Sequence, residues 1–427
     1  MINRRSFMTI VLVAAFAYGV STPWPSAAQS DKDHALPVGN FVPAATYNVS
    51  GNVAEIVAAT PDGQTLIYTD FESAEIGFVN IIDPAAPGEI ATLGMDGEPT
   101  SVAVTPDGLW ALVSVIGTVD HLAVVNVANR SVDLTISLGG HPDSVSISPD
   151  GRYAAIAIEN ARDEDLNDGE MPQLPAGFLT IVDLVGQPPA WTTRDVSLTG
   201  LAERFPSDPE PEFVDINSAN QAAVTLQENN HIAIVDLESG AVTGGWSAGA
   251  VTHAADTQDD DQIAFDDLLL NARREPDAVV WTPDGNLITA NEGDYDLDLG
   301  AGEFTGGRNF TVFSATGEVV FDPGADLELA AAAQGFYRDS RSDVKGCEFE
   351  GAEIGQYINH TFAFIGAERC NFVAVYRLKD KKPKLEQLLA TGSRPEGLLA
   401  IPQRALFVTS NEGDGTISIF RGSPGNP

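Results

Sequence analysis

The chain has 427 residues, 61 of them acidic and 23 basic, for a formal charge of −38 at pH 7. Such an excess repels nucleic acid and anionic membrane surfaces and favours cations. The length suffices for one large or two ordinary domains.

In chain order, Arg4 and Arg5 precede an apolar run over 7–20, and Ser26, Ala27 and Ala28 offer small residues for cleavage. Residues 1–28 therefore read as an export signal, too short for a stable membrane span. The arginine pair before Ser6, Phe7 and Met8 resembles the twin-arginine type, and an ordinary secretory signal also fits. Cleavage takes two arginines and no acid, leaving −40. Residues 29–40 read as a linker and 41–424 as one domain. No later segment approaches the ~20 apolar residues of a membrane helix. The expectation is a soluble monomer, periplasmic or secreted.

Four tetrapeptides then recur: Thr60-Pro61-Asp62-Gly63, Thr105-Pro106-Asp107-Gly108, Ser148-Pro149-Asp150-Gly151 and Thr282-Pro283-Asp284-Gly285. Pro fixes φ, Asp bonds back to the backbone and Gly accepts positive φ, which is turn chemistry. Each turn lies between alternating strands, and a strand richer in β-branched residues closes the unit. Seven such units begin near Val53, Glu98, His141, Glu210, Glu275, Cys347 and Arg394. The first intervals match the ~40–45 residues of a propeller blade. The fold class is thus all-β, a seven-bladed β-propeller with acidic loop insertions, or eight blades if residues 36–52 form a blade instead of a closing strand. A short helix is expected over 326–336.

Three kinds of site follow. Asn291-Glu292-Gly293-Asp294 returns as Asn411-Glu412-Gly413-Asp414 at the same joint of two units. Asp163, Asp165 and Asn167, like Asp294, Asp296 and Asp298, alternate along a loop that ends in glycine, a spacing that can wrap a hard cation, although neither loop is an EF-hand. With Glu292, Glu412 and Asp414 these are the metal candidates. Calcium is the first choice, with iron or another divalent metal as alternatives. A second set of acids opens the first strands: Asp143, Glu212, Asp277, Glu350 and Glu396. First strands line a propeller channel, so both sets are expected to converge on one channel mouth, with Arg274, Arg369 and Arg394 beside them in sequence. Glu212, Asp277, Glu350, Arg369 and Glu396 are the ligand-binding candidates. Finally, Cys347 and Cys370 form an even pair in an exported chain and read first as a disulfide worth roughly 3 kcal/mol.

The stretches DPEPEFVDINSANQAAVTLQENN at 208–230, REPDAVVWTPDGNLITANEGDY at 274–295, RSDVKGCEFEGAEIGQYINH at 341–360 and RPEGLLAIPQRALFVTSNEGDG at 394–415 carry a resemblance. They are similar to the choice-of-anchor I family of secreted β-propellers, and the similarity covers essentially the whole mature chain. That family includes proteins described as atypical alkaline phosphatases and others like a mesenchyme-specific cell-surface glycoprotein. Members commonly read Lys-Gly-Pro-Glu-Pro-Glu-Gly where this chain has Lys345-Gly346-Cys347-Glu348-Phe349-Glu350-Gly351. They also tend to lack a cysteine at the place of Cys370, which makes the disulfide private to this protein.

Two functions remain open. One is a cation-binding propeller whose channel mouth takes a small ligand or a protein partner. The other, which the resemblance implies, is a metal-dependent phosphoester hydrolase. For that reaction Glu350, Arg394, Glu396, Asp277 and Arg274 are the catalytic candidates, since carboxylates hold a hard ion and arginines grip phosphate. No Gly-x-Ser-x-Gly elbow, His-Glu-x-x-His or phosphate-cradling glycine loop is present.

Overall fold

Residues 37–160, 166, 171–292, 304–379 and 382–424 are described by a computed structural model, and Leu36–Pro427 fall into one compact unit. The export signal and both alternating acidic loops, with Asp163, Asp165, Asn167, Asp294, Asp296 and Asp298, lie outside the described residues.

The recurring turn is built four times in the same way. The hydroxyls of Thr60, Thr105, Ser148 and Thr282 donate to Asp62, Asp107, Asp150 and Asp284 at 2.6, 2.6, 2.8 and 2.6 Å. The closing glycines, Gly63, Gly108, Gly151 and Gly285, adopt φ of 66°, 72°, 71° and 82°, a region costly for any residue with a Cβ. Each turn joins the first strand of a sheet to its second.

Among the described residues the strands form seven four-stranded antiparallel sheets and one two-stranded hairpin. The blades begin with strands Val57–Ala59, Glu98–Val104, His141–Ile147, Pro211–Ile216, Val279–Trp281, Ala352–Gln356 and Pro395–Ile401. These starts track the seven sequence units. Alternate side chains of a strand point to opposite faces, and both faces are buried. Leu66 packs toward blade 7 and Ile67 toward blade 2. Seven apolar clusters result, one at each junction between neighbouring blades. No blade could bury both faces alone, which is why the ring must close.

Closure decides seven over eight. Asn40–Asn48 pairs antiparallel with Thr416–Ser423 and becomes the outer strand of blade 7. Phe41, fully buried there, meets Tyr357, Phe362 and Phe364 of blade 6 edge-on.

Two insertions decorate the ring. Ala250–Ala255 and Asp267–Arg273 form the extra hairpin between blades 4 and 5. The expected helix spans Asp326–Gln334 and ends on Gly335 at φ 77°. Its Leu327 and Ala331 join the cluster between blades 5 and 6.

Candidate metal centre in the propeller channel

The start of each blade aims one side chain at the axis. In blades 2, 3, 4 and 7 a proline is the first or second residue of the first strand, and the register shifts just after it, at Pro99/Ser101, Pro142/Val145, Pro211/Val214 and Pro395/Leu398. Proline has no N–H to give the ladder, and a bulge re-aims the next residue. That next residue is Thr100, Asp143, Glu212 or Glu396. In blades 1, 5 and 6, Glu55, Asp277 and Glu350 stand two residues ahead of the strand. In blades 5, 6 and 7 the chain first turns through a left-handed residue: Glu275 at φ 46°, Glu348 at 54° and Arg394 at 56°. Bonds between blades tie the ring together. Thr100 Oγ1 donates to Pro142 O at 2.7 Å, Ser144 Oγ to Glu212 O at 2.8 Å, and Gly397 N to Glu55 O at 2.9 Å.

A cavity of about 210 Å³ occupies the channel. Glu55, Asp143, Glu212, Asp277, Glu350 and Glu396 line it, and Asp215 and Glu353 join them. No lysine, arginine or histidine is among the described residues that line it. Burial, followed by mutual repulsion, holds the carboxyls of Asp143, Glu212, Asp277 and Glu350 well above the usual range. Burial likewise raises Glu396 and Glu353 to about 8 and Asp215 to about 6. Glu350 brings a carboxyl oxygen within 4.8 Å of those of Glu368 and Glu396, a closeness that a shared proton or a cation relieves.

The mouth is built differently. Here the acids come from second-strand ends and the blade 6 entry loop, and each meets a base. Glu348 accepts from Arg341 and, at 3.0 Å, from Arg369 Nε. Glu292 Oε1 lies 2.5 Å from Lys345 Nζ, while its Oε2 accepts from Gln227 Nε2 at 2.6 Å. Arg369 Nε is 2.6 Å from Glu368 Oε2. Arg394 stands 3.7 Å from Glu368 and 3.8 Å from Glu412. The Cys347–Cys370 disulfide, buried, staples the loop bearing Glu348 and Glu350 to the turn bearing Glu368 and Arg369.

Among the described residues, two groups of carboxylates have the spacing of a cation site. Glu350, Glu368 and Glu396 each bring an oxygen within 4.8 Å of the others, as do Glu292, Glu348 and Glu350. A calcium–oxygen bond of about 2.4 Å can bridge such a set.

Among the described residues, most of those picked out in the sequence converge. Glu212, Asp277, Glu350 and Glu396 line the cavity, and Glu292, Arg369, Arg394 and Glu412 ring its mouth. Arg274 is engaged elsewhere. Its guanidinium donates to Asp322 at 2.8 Å, to Ala248 O at 2.7 Å and to Thr311 Oγ1 at 2.9 Å, bracing blade 5 against its outer strand and the preceding hairpin. Asp414 caps its own turn, accepting from Ser393 N at 2.9 Å and Thr416 Oγ1 at 2.6 Å. Lys345, Glu348, Glu353, Asp215 and Glu55 were absent from the sequence-derived site. The proline that precedes Asp143, Glu212, Asp277 and Glu396 is missing before Glu55, and Lys345 reaches Glu292 across 53 residues.

The profile of the choice-of-anchor I domain matches residues 55–303 and 296–381. The chain belongs to the choice-of-anchor I family. No curated protein sequence matches it. Among solved structures this choice-of-anchor I propeller is similar to Kuenenia stuttgartiensis hydrazine synthase, with a TM-score of 0.58 and 15% identity, covering 90% of this chain and 99% of that one. It is also similar to the Cps50 (Swd1) β-propeller domain of Myceliophteria thermophila, with a TM-score of 0.55, 10% identity and the same coverage. At those identities the likeness is one of fold. Family membership and a disulfide both fit an extracellular or cell-surface setting.

Proposed function

We propose that this choice-of-anchor I propeller is an exported cation-binding module that holds a divalent ion, calcium by the hardness of its ligands, in the acidic channel. Glu350, Glu368 and Glu396 supply the first oxygens, and the ion at the mouth is presented to a small ligand or a protein partner. One observation carries this reading: eight carboxylates share a cavity of about 210 Å³ with no basic side chain among the described residues lining it. Charge so confined must be cancelled by protons or by a guest, and all-oxygen donor sets suit calcium. Calcium titration by calorimetry tests it on the wild type and on Glu350→Gln/Glu396→Gln. The expected result is a loss of about 100-fold in affinity, equivalent to about 2.7 kcal/mol. Equal affinity in the two proteins would refute the assignment.

Arg394 favours a second reading. Its side chain is 44% exposed and approaches carboxylates no closer than 3.7 Å, so its guanidinium is free to grip an anion beside the ion. A metal-held phosphoester would sit there, polarised by the cation. In that case Arg394→Ala abolishes calcium-dependent phosphoester hydrolysis without altering the melt. Hydrolysis intact in the variant, or undetectable in the wild type, leaves the binding module alone.

A further inference from the structure

The two groups of carboxylates share Glu350 and have the same closeness, but they differ in what they enclose. In the first, Lys345 Nζ lies 2.5 Å from Glu292 Oε1 and 3.7 Å from Glu348 Oε1. Arg341 and Arg369 hold the other oxygen of Glu348, and in the second group the basic partners are guanidiniums alone, Arg369 at 2.6 Å and Arg394 at 3.7 Å from Glu368. An ammonium is a compact point charge with three donors, able to sit among carboxylate oxygens as an inorganic cation does. A guanidinium is a planar fork that approaches from one side.

We infer that Lys345 is a tethered cation that permanently fills the Glu292–Glu348–Glu350 group and confines an external divalent ion to Glu350, Glu368 and Glu396. The inference rests on the cation-channel reading for that second group alone. It makes Lys345 the residue that sets how many ions the channel takes and where.

The surrounding chain holds Lys345 in place with several independent anchors. Arg308, fully buried, donates to Ser342 O at 2.9 Å and to Val344 O at 2.7 Å. Glu328, fully buried on the helix, accepts from Cys347 N at 2.9 Å. The disulfide then fastens Cys347 to Cys370. These fixings all fall within 342–347, on either side of the one lysine that reaches the mouth among the described residues. The ammonium is held between two carboxylate oxygens, Glu292 Oε1 at 2.5 Å and Glu348 Oε1 at 3.7 Å. Removing that charge leaves Glu292 Oε1 and Glu348 Oε1 without their shared cation and facing one another, a repulsion that a divalent ion relieves.

The test is calcium stoichiometry by equilibrium dialysis on the full chain, comparing wild type, Lys345→Met and Lys345→Arg. Lys345→Met is expected to bind one more calcium per chain than wild type, and Lys345→Arg, which keeps the charge, the wild-type number. The same count in Lys345→Met and wild type overturns the inference. If Lys345→Met folds only with metal, recovery of its near-ultraviolet circular dichroism on adding calcium supports the inference, and no recovery overturns it. Failures of the two readings look different. No ion in wild type with one in Lys345→Met removes the native site and keeps the tether, whereas one ion in each keeps the site and removes the tether.

Discussion

The mouth and the interior of the channel are both acidic and are neutralised in opposite ways. At the mouth, Glu292, Glu348, Glu368 and Glu412 each lie within ion-pair distance of Lys345, Arg341, Arg369 or Arg394. Inside, Asp143, Glu212, Asp277 and Glu350 face the cavity with burial pushing their carboxyls upward. The salt bridges of Glu292, Glu348 and Glu412 are blade cement and need nothing from solution, whereas Glu368, which also stands beside Glu350 and Glu396, belongs to both tiers. A buried ring without bases is unstable as a set of anions and must take up protons or a cation. The same residue type at neighbouring depths thus serves two ends, and the count of basic partners separates them.

That contrast makes opposite predictions for one substitution. Glu348→Gln leaves Arg341, Lys345 and Arg369 without their shared anion, and breaking such a buried cluster is expected to cost roughly 3 kcal/mol. Asp143→Asn removes a repelling anion from the interior, so the chelator-treated protein should gain on the order of 1 kcal/mol. Denaturant melts in chelator read both, and losses of equal size would erase the distinction between the tiers.

The interior also sets the pH dependence. Asp215, at about 6, and Glu353 and Glu396, at about 8, bind protons more tightly folded than unfolded. Their stabilising contribution is complete below the ordinary carboxylate pKa and drains away as pH rises through the folded values. Without metal, the melting temperature should fall steadily between about pH 5 and 8, and calcium should flatten that slope by taking the protons' place. A chelated melt that rises over this window would contradict the burial of these groups. The smallest effect belongs to Arg394→Ala. Its contacts are long and its side chain half exposed, so stability should change by less than about 1 kcal/mol.

How much of this was legible in the sequence follows from the range of the interactions. The Pro-Asp-Gly turns, the seven units and the helix over 326–336 are local, and all appear where the pattern puts them. The closing strand was one of two stated alternatives, because pairing Asn40–Asn48 with Thr416–Ser423 spans nearly the whole chain. Channel acids announced themselves where a proline precedes them, as at Glu212, Asp277 and Glu396. Adjacency misled at Arg274, three residues from Asp277. The left-handed Glu275 between them turns the chain, and Arg274 goes to Asp322 instead. Asp414 shares a tetrapeptide with Glu412, yet its oxygens are engaged by Thr416 in its own turn and by Ser393 N of the loop before blade 7. Lys345 was quoted within the family motif, but nothing local says that its ammonium ends between Glu292 and Glu348.

The central claim is that the channel interior completes its charge balance with a metal ion. Metal content of the protein purified without chelator, by mass spectrometry, with thermal melts before and after chelation, tests it most directly. The account predicts about one calcium per chain and a melt that drops on chelation, by an amount equivalent to about 2.7 kcal/mol when free calcium stands near 100 times its dissociation constant. A metal-free protein with an unchanged melt would contradict it.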